Sequence, residues 1–274
     1  TRLCTDHFRS HFSPNETMLK RYLFPLLCLA AVPAAWAGSL RYAEDQAPAM
    51  VNPLFTTTMS EARLNELIFE GLYSDNEQLQ TVALLAERHE IGADQQSMVI
   101  YLRQDVSWHD GRPFTAQDVV FTINAMKNEA TLSTEAGRVE WISEATAEDT
   151  YTVKLLFMRP EANPQDKLFF KILPKHRFTS EMVKRTNPFR TDPIGTGPYE
   201  VVRFNEDNSI VLNAYSRYRA RLGVDEIVLR EISDKNYQAK LLLYESIQAL
   251  IRVLPRDLAV LQNNSFSQYQ HQAH

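Results

Sequence analysis

The chain has 274 residues, 44% of them hydrophobic and 23% charged, with a formal net charge of −5. That composition excludes a disordered or membrane-filling chain, and the length allows one large or two modest domains. The acidic balance leaves no basic stripe to neutralise a phosphate backbone, so no nucleic-acid partner is expected.

The chain opens on Thr1 and its first methionine is Met18, so residues 1–17 read as a translated upstream extension. Residues 18–37 have the three-part layout of a secretory signal: Lys20-Arg21, an apolar run from Leu23 to Ala35, then Ala35-Trp36-Ala37 before Gly38. The run is broken by Pro25 and Pro33 and falls short of the roughly 20 residues that span a bilayer. Both cysteines, Cys4 and Cys28, precede the expected cut, so the exported part can form neither a disulfide framework nor a thiolate metal site. Leu27 before Cys28 does not suit a lipid-anchor site. The expected location is the periplasm of a Gram-negative bacterium.

Beyond the leader, Ser39 to Tyr42 reads as a strand and Asn52-Pro53-Leu54-Phe55 as a turn, followed by the polar run Thr56-Thr57-Thr58. Ser60 is the expected cap of a helix with Leu64, Leu67, Ile68 and Leu72 on one stripe and Glu61 in its first turn. Strands are expected at 97–103 and 151–157, rich in β-branched and aromatic residues. Between them lie a turn at Trp108-His109-Asp110-Gly111 and a helix opened by Thr115 and Asp118 in capping-box spacing, with Val119, Ile123 and Met126 on one face. The stretch from Lys184 to Pro198, with Pro188, Pro193, Gly195 and Gly197, reads as a connection. Strands follow at 199–204, 210–214 and 226–232, then a helix from Asn236 to about Tyr244 and a strand-like piece at 247–253. Mixed strands and helices give an α/β class.

Signals for covalent chemistry are weak. His109-Asp110 and His89-Glu90 lack partners at catalytic or metal-binding spacing, and adjacent residues face different ways on a strand or helix. Pro193 to Pro198 has the glycines of a phosphate loop without its Gly-Lys-Ser/Thr, and a strand rather than a helix follows, so Gly195 and Gly197 read as a backbone crossing or hinge. No Gly-x-Ser-x-Gly elbow is present. The expectation is a protein that is not an enzyme, with no cofactor and no metal site.

Several stretches together carry a resemblance: Leu67-Ile68-Phe69-Glu70-Gly71-Leu72-Tyr73, Leu85-Ala86-Glu87, the long run from Leu102 to Val119, Gly195-Thr196-Gly197-Pro198-Tyr199, and Asp225-Glu226-Ile227. In this order, behind a leader, they resemble the extracytoplasmic solute-binding proteins of the oligopeptide, dipeptide and nickel family (family 5). Two places depart from that pattern. Asn213-Ala214-Tyr215 stands where the family usually has Asn-Pro before its tyrosine, and Glu245-Ser246-Ile247-Gln248-Ala249 stands where Gly-Glu-Ile-Asp-Ala is usual.

The resemblance implies a clamshell of the type II periplasmic-binding-protein kind. Its first lobe would comprise 38–78 and 190–274, with 79–189 as an inserted subdomain and the second lobe missing from this chain. It implies ligand contact at Thr56, Thr57, Thr58 and Met59, where main-chain hydrogen bonds can hold a peptide of any sequence. Implied partners are a peptide or other small solute and an ABC permease in the inner membrane, with a monomer as the complete form. The same fold also serves as a ligand-sensing domain in regulators or chemosensory systems. A regulator would need a DNA-binding helix-turn-helix upstream, where this chain has its leader.

Overall fold

The computed structural model describes residues 38–251 and 254–257. The upstream extension, the leader and the tail beyond 257 lie outside the described residues. In chain order the elements are β1 (Ser39–Glu44), α1 (Met59–Ile68), β2 (Tyr73–Asp75), β3 (Thr81–Ala83), β4 (Ala86–Ile91), β5 (Ser97–Leu102) and α2 (Ala116–Lys127). Then come β6 (Ile142–Ala147), β7 (Thr152–Phe157), β8 (Tyr199–Phe204), β9 (Ile210–Ala214), β10 (Glu226–Glu231), α3 (Lys235–Leu243) and β11 (Ala249–Leu250). Among the described residues no helix is long and apolar enough to cross a membrane.

Two sheets divide the chain. The first has the order β11-β1-β10-β9-β8, with β1 parallel to both of its neighbours and the remaining pairs antiparallel. Its strands come from both ends of the described chain, so the backbone leaves this sheet after Glu44 and rejoins it at Tyr199. The second sheet, β4-β5-β7-β6, is antiparallel throughout and drawn entirely from the intervening stretch. The short β2–β3 hairpin stands apart from both.

The central strands of the second sheet follow the two-residue period. Met98, Ile100 and Leu102 of β5 and Val153, Leu155 and Phe157 of β7 are buried, with Ile100 opposite Val153 and Met98 opposite Leu155. Val119, Ile123 and Met126 of α2 are buried in the same apolar core, which runs on through α1 and β8 to β10. Asp118 closes the capping box by accepting from the Thr115 amide at 2.9 Å and its hydroxyl at 3.1 Å. The same carboxylate accepts from the Lys175 amide at 2.8 Å and the Trp108 indole at 3.3 Å, and burial raises its pKa. A smaller cluster of Ala43, Ile232, Leu241 and Ile247 seats α3.

The start of α1 differs from expectation. Thr58, not Ser60, is the cap: its hydroxyl accepts from the Glu61 amide at 3.2 Å, while Ser60 lies inside the first turn and donates to the Gln46 carbonyl at 2.9 Å. Glu61, three residues after Thr58, decides between the two because it completes a capping box. The helix ends at Ile68, so Leu72, though buried, lies beyond it. Arg63 ties the helix to the first sheet through two bonds to the buried carboxylate of Glu44, at 2.7 and 2.5 Å.

Candidate functional site

The segment marked for ligand contact is built by two local devices. Asn52 Oδ1 accepts from the Leu54 amide at 3.1 Å and starts a single 3-10 turn at Pro53–Phe55, whose three residues are buried. The chain then runs extended into the Thr58 cap. Glu61 reaches back to accept from the amides of Thr57 (2.8 Å) and Thr58 (3.1 Å) and from the Thr57 hydroxyl (3.1 Å). Thr56 donates from Oγ1 to the Pro53 carbonyl at 3.3 Å and accepts at that atom from the Asn65 amide at 2.9 Å.

A brace holds this turn from the loop after α2. The Thr134 amide donates to the Leu54 carbonyl at 3.0 Å and the Ser133 hydroxyl to the same oxygen at 2.9 Å; the Thr134 hydroxyl meets the Thr56 carbonyl at 3.2 Å. The main chain expected to pair with a ligand is therefore largely engaged already. Of its groups, the Thr56 amide, the Thr57 carbonyl and the Met59 amide have no hydrogen-bond partner among the described residues. The Met59 side chain stands 69% exposed. The segment therefore offers those groups rather than a free strand of four residues.

Gly195 and Gly197 sit where the chain crosses the end of α1. The Gly197 amide donates to the Ile68 carbonyl at 2.9 Å. A Cβ on Gly195 would lie 1.7 Å from that carbonyl oxygen, and one on Gly197 2.6 Å from the Ile68 carbonyl carbon, so only glycine fits at either place.

His109 clasps this crossing. Its amide donates to the Gly195 carbonyl at 2.9 Å, its Nδ1 accepts from the Gly195 amide at 3.1 Å, and its Nε2 lies 3.0 Å from the Gly197 carbonyl. That pattern needs the neutral ring with the proton on Nε2. The turn expected at Trp108-His109-Asp110-Gly111 is present, closed by the Gly111 amide on the Trp108 carbonyl at 2.7 Å with Gly111 at φ +83°, and the His109 ring is in addition a structural clasp. Asp110 faces away to His176 at 2.7 Å, so the adjacent pair forms no dyad. The His109 ring also meets Tyr215 edge-on at 4.9 Å, and the Tyr215 hydroxyl donates to the Trp108 carbonyl at 2.7 Å.

Burial pulls the pKa of His109 down from 6.5 to about 4, against the opposing pull of the Gly197 carbonyl and Asp110. The unfolded chain takes up this proton first, so the stability tied to the neutral ring is whole above pH 6.5 and drains away as the pH falls toward 4. The slope is about 1.4 kcal/mol per pH unit, or ~3 kcal/mol across the window. Urea unfolding of wild type and His109→Gln at pH 7.5, 5.5 and 4.5 should show the wild type losing more than the variant by this margin. Parallel losses would refute the assignment.

Among the described residues no group of three or more His, Cys, Asp or Glu is placed to hold a metal ion. Among the described residues there are a smaller and a larger cleft, of which the smaller lies beside these elements. One, of about 280 Å3, is walled by the 53–56 turn, α1 and the loop after α2. The other, of about 730 Å3, is floored by Trp141, whose indole donates to the Arg138 carbonyl at 2.7 Å. Residues 80–273 match the family model described as bacterial extracellular solute-binding proteins, family 5, middle part.

The chain belongs to this family. It is 30% identical over 213 residues to a putative ABC transporter peptide-binding protein of Brucella ovis, covering 75% of this chain and 40% of the relative. It is 28% identical over 262 residues to the dipeptide-binding protein of Escherichia coli K12, covering 85% of this chain and 48% of the relative. The family 5 fold recurs in the crystal structure of NikZ from Campylobacter jejuni in complex with Ni(L-His), with a TM-score of 0.75 at 27% identity, covering 83% of this chain and 45% of that one. This family 5 chain thus spans less than half the length of these relatives.

Some residues of this family 5 site carry no local signal. Thr134 acts on a carbonyl 78 residues away, and nothing in its neighbours marks it. Glu61 was findable, because Thr58-x-x-Glu61 has capping-box spacing.

Proposed function

We propose that this chain forms one jaw of a two-jawed receptor that captures a peptide or a related small solute in the periplasm and hands it to an inner-membrane ABC permease. Family membership carries the reading. The printed names of the Brucella and E. coli relatives point to peptides, and the NikZ complex shows a small nickel chelate in the same fold. On this reading residues 38–78 and 190–274 are the lobe and 79–189 its insert. The division is supported by one sheet fed from both chain ends and a second drawn wholly from between them. Gly195 and Gly197 are the crossing near which the two jaws would pivot, and Met59 with the Thr57 carbonyl is the first contact for the solute.

The work is holding rather than transforming, with closure of the jaws as the only motion required. A micromolar site is worth about −8.2 kcal/mol, and giving up half of that with the facing jaw leaves a constant near 1 mM. Calorimetry with a dipeptide and a tripeptide series should therefore give no micromolar heat for this chain by itself. A protein of the relatives' full length should bind micromolar or tighter. Micromolar binding by this chain alone, or turnover of an ester or peptide substrate, would sink the reading.

A further inference from the structure

The 280 Å3 cleft beside α1 carries two ion pairs in its wall, set in opposite senses. Lys171 is bonded to Glu66 at 2.6 Å; the lysine side chain is 14% exposed and the glutamate 68%. Arg138 is bonded to Glu135, and there the glutamate is the sheltered member, 23% exposed against 56% for the arginine. The cleft therefore presents one sheltered cation, Lys171, and one sheltered anion, Glu135, each with a more exposed counter-charge.

Neither sheltered charge is used up. Among the described residues Lys171 Nζ has only Glu66 as a hydrogen-bond partner, and the Glu135 carboxylate has only Arg138. An ammonium carries three N–H donors and a carboxylate about four acceptor positions, so both keep places that a solute can fill.

The signs of these charges say what fits. The four charges sum to zero, so a lone anion or a lone cation would be drawn by one sheltered group and repelled by the other. A neutral solute would leave both open places to water. A small zwitterion satisfies both at once, its carboxylate on Lys171 and its ammonium on Glu135. Half-buried Phe169 in the same wall adds apolar surface for a short side chain. The volume is below the roughly 300–1,000 Å3 of sites that enclose drug-sized ligands, which suits a free amino acid better than a peptide of several residues.

We propose that this cleft is a binding site for a small zwitterion of the amino-acid class, with Lys171 holding its carboxylate and Glu135 its ammonium. The site is complete within this chain and needs neither a second jaw nor a permease, so it stands or falls apart from the capture reading. Water reaches both ion pairs, so each is weak and saturation in the millimolar range is expected.

The test is a titration of the 15N-labelled 274-residue chain at pH 7 with L-alanine, propionate and ethylammonium. Alanine should shift the Lys171 and Glu135 backbone amides and the Arg138 Nε–H signal saturably, at a concentration at least fivefold below that needed for either half-molecule. Lys171→Met and Glu135→Gln should each weaken alanine binding at least fivefold. Glu66→Gln should do the opposite: the Glu66 charge competes for Lys171 and repels the incoming carboxylate, so alanine should bind at least twofold more tightly without it. Glu66 is exposed, so this variant tests the site even where the other two fail to fold, and a general loosening of structure could not produce tighter binding. No saturable shift, an equal response to either half-molecule, undiminished binding in folded Lys171→Met or Glu135→Gln, or unchanged or weaker binding in Glu66→Gln would overturn the site.

Discussion

Arg219→Ala should cost this protein about 3–5 kcal/mol of stability, the range for leaving one half of a buried ion pair without its partner. Glu70 is 3% exposed, yet its carboxylate accepts from Arg219 at 2.6 and 2.9 Å and from the Tyr218 hydroxyl at 3.0 Å. The pair joins the backbone just past α1 to the loop after β9, two stretches that the sequence holds 149 residues apart. Without the guanidinium, Glu70 keeps one neutral donor for a charge that water cannot reach freely. Arg219→Lys should recover only part of the loss, because an ammonium cannot reproduce the two-pronged contact. The double variant Glu70→Met with Arg219→Met should lie well above either single change, since removing both charges removes the uncompensated burial. Urea unfolding at pH 7 reads each variant against wild type. A loss below about 1 kcal/mol in Arg219→Ala would mean that the pair behaves as a surface one.

What could be read from the chain, and what could not, follows from how far each residue's partner lies along it. β5 and β7 announce themselves because they are central strands, whose buried residues alternate with half-buried ones. β4 and β6 edge the same sheet. In β4 only Ala86 is buried; Glu87, Arg88 and Glu90 are exposed, His89 is half-buried and Ile91 is exposed, so the alternation that would mark a strand is missing. β2 and β3, at three residues each, are too short to show a period. For α1 both Thr58 and Ser60 are cap residues by type, and the choice turned on the reach of one carboxylate. The site follows the same rule. Thr56 to Met59 could be singled out by resemblance, but the engagement of their backbone by Glu61 and Thr134 belongs to the folded geometry. His109 reads correctly as a turn residue, but its hold on Gly195, 86 residues on, shows only in the folded geometry.

Gly195→Ala should be the most damaging of the glycine-to-alanine changes among the described residues with a close neighbour. The new Cβ would stand 1.7 Å from the Ile68 carbonyl oxygen, where both colliding groups are backbone. Ordinary overpacking costs about 1–3 kcal/mol because side chains can turn aside. Here the Ile68 carbonyl is held by the Gly197 amide and the crossing strand by His109, so relief requires moving the whole crossing, and a loss above about 4 kcal/mol is expected. For a domain of this size that lowers Tm by roughly 8 °C or more. Gly137 and Gly223 are the internal controls, since a Cβ at either meets nothing within 4 Å; alanine there should change stability by less than about 1 kcal/mol. The crossing also reports on itself through His109. If Gly195→Ala folds with the crossing displaced, the His109 ring loses the burial that depresses its pKa and should titrate closer to 6.5 than to 4 by NMR. Equal melting of Gly195→Ala and Gly223→Ala, with His109 still neutral at pH 5.5, would show that the crossing yields without cost and cannot serve as the fixed point about which a jaw closes.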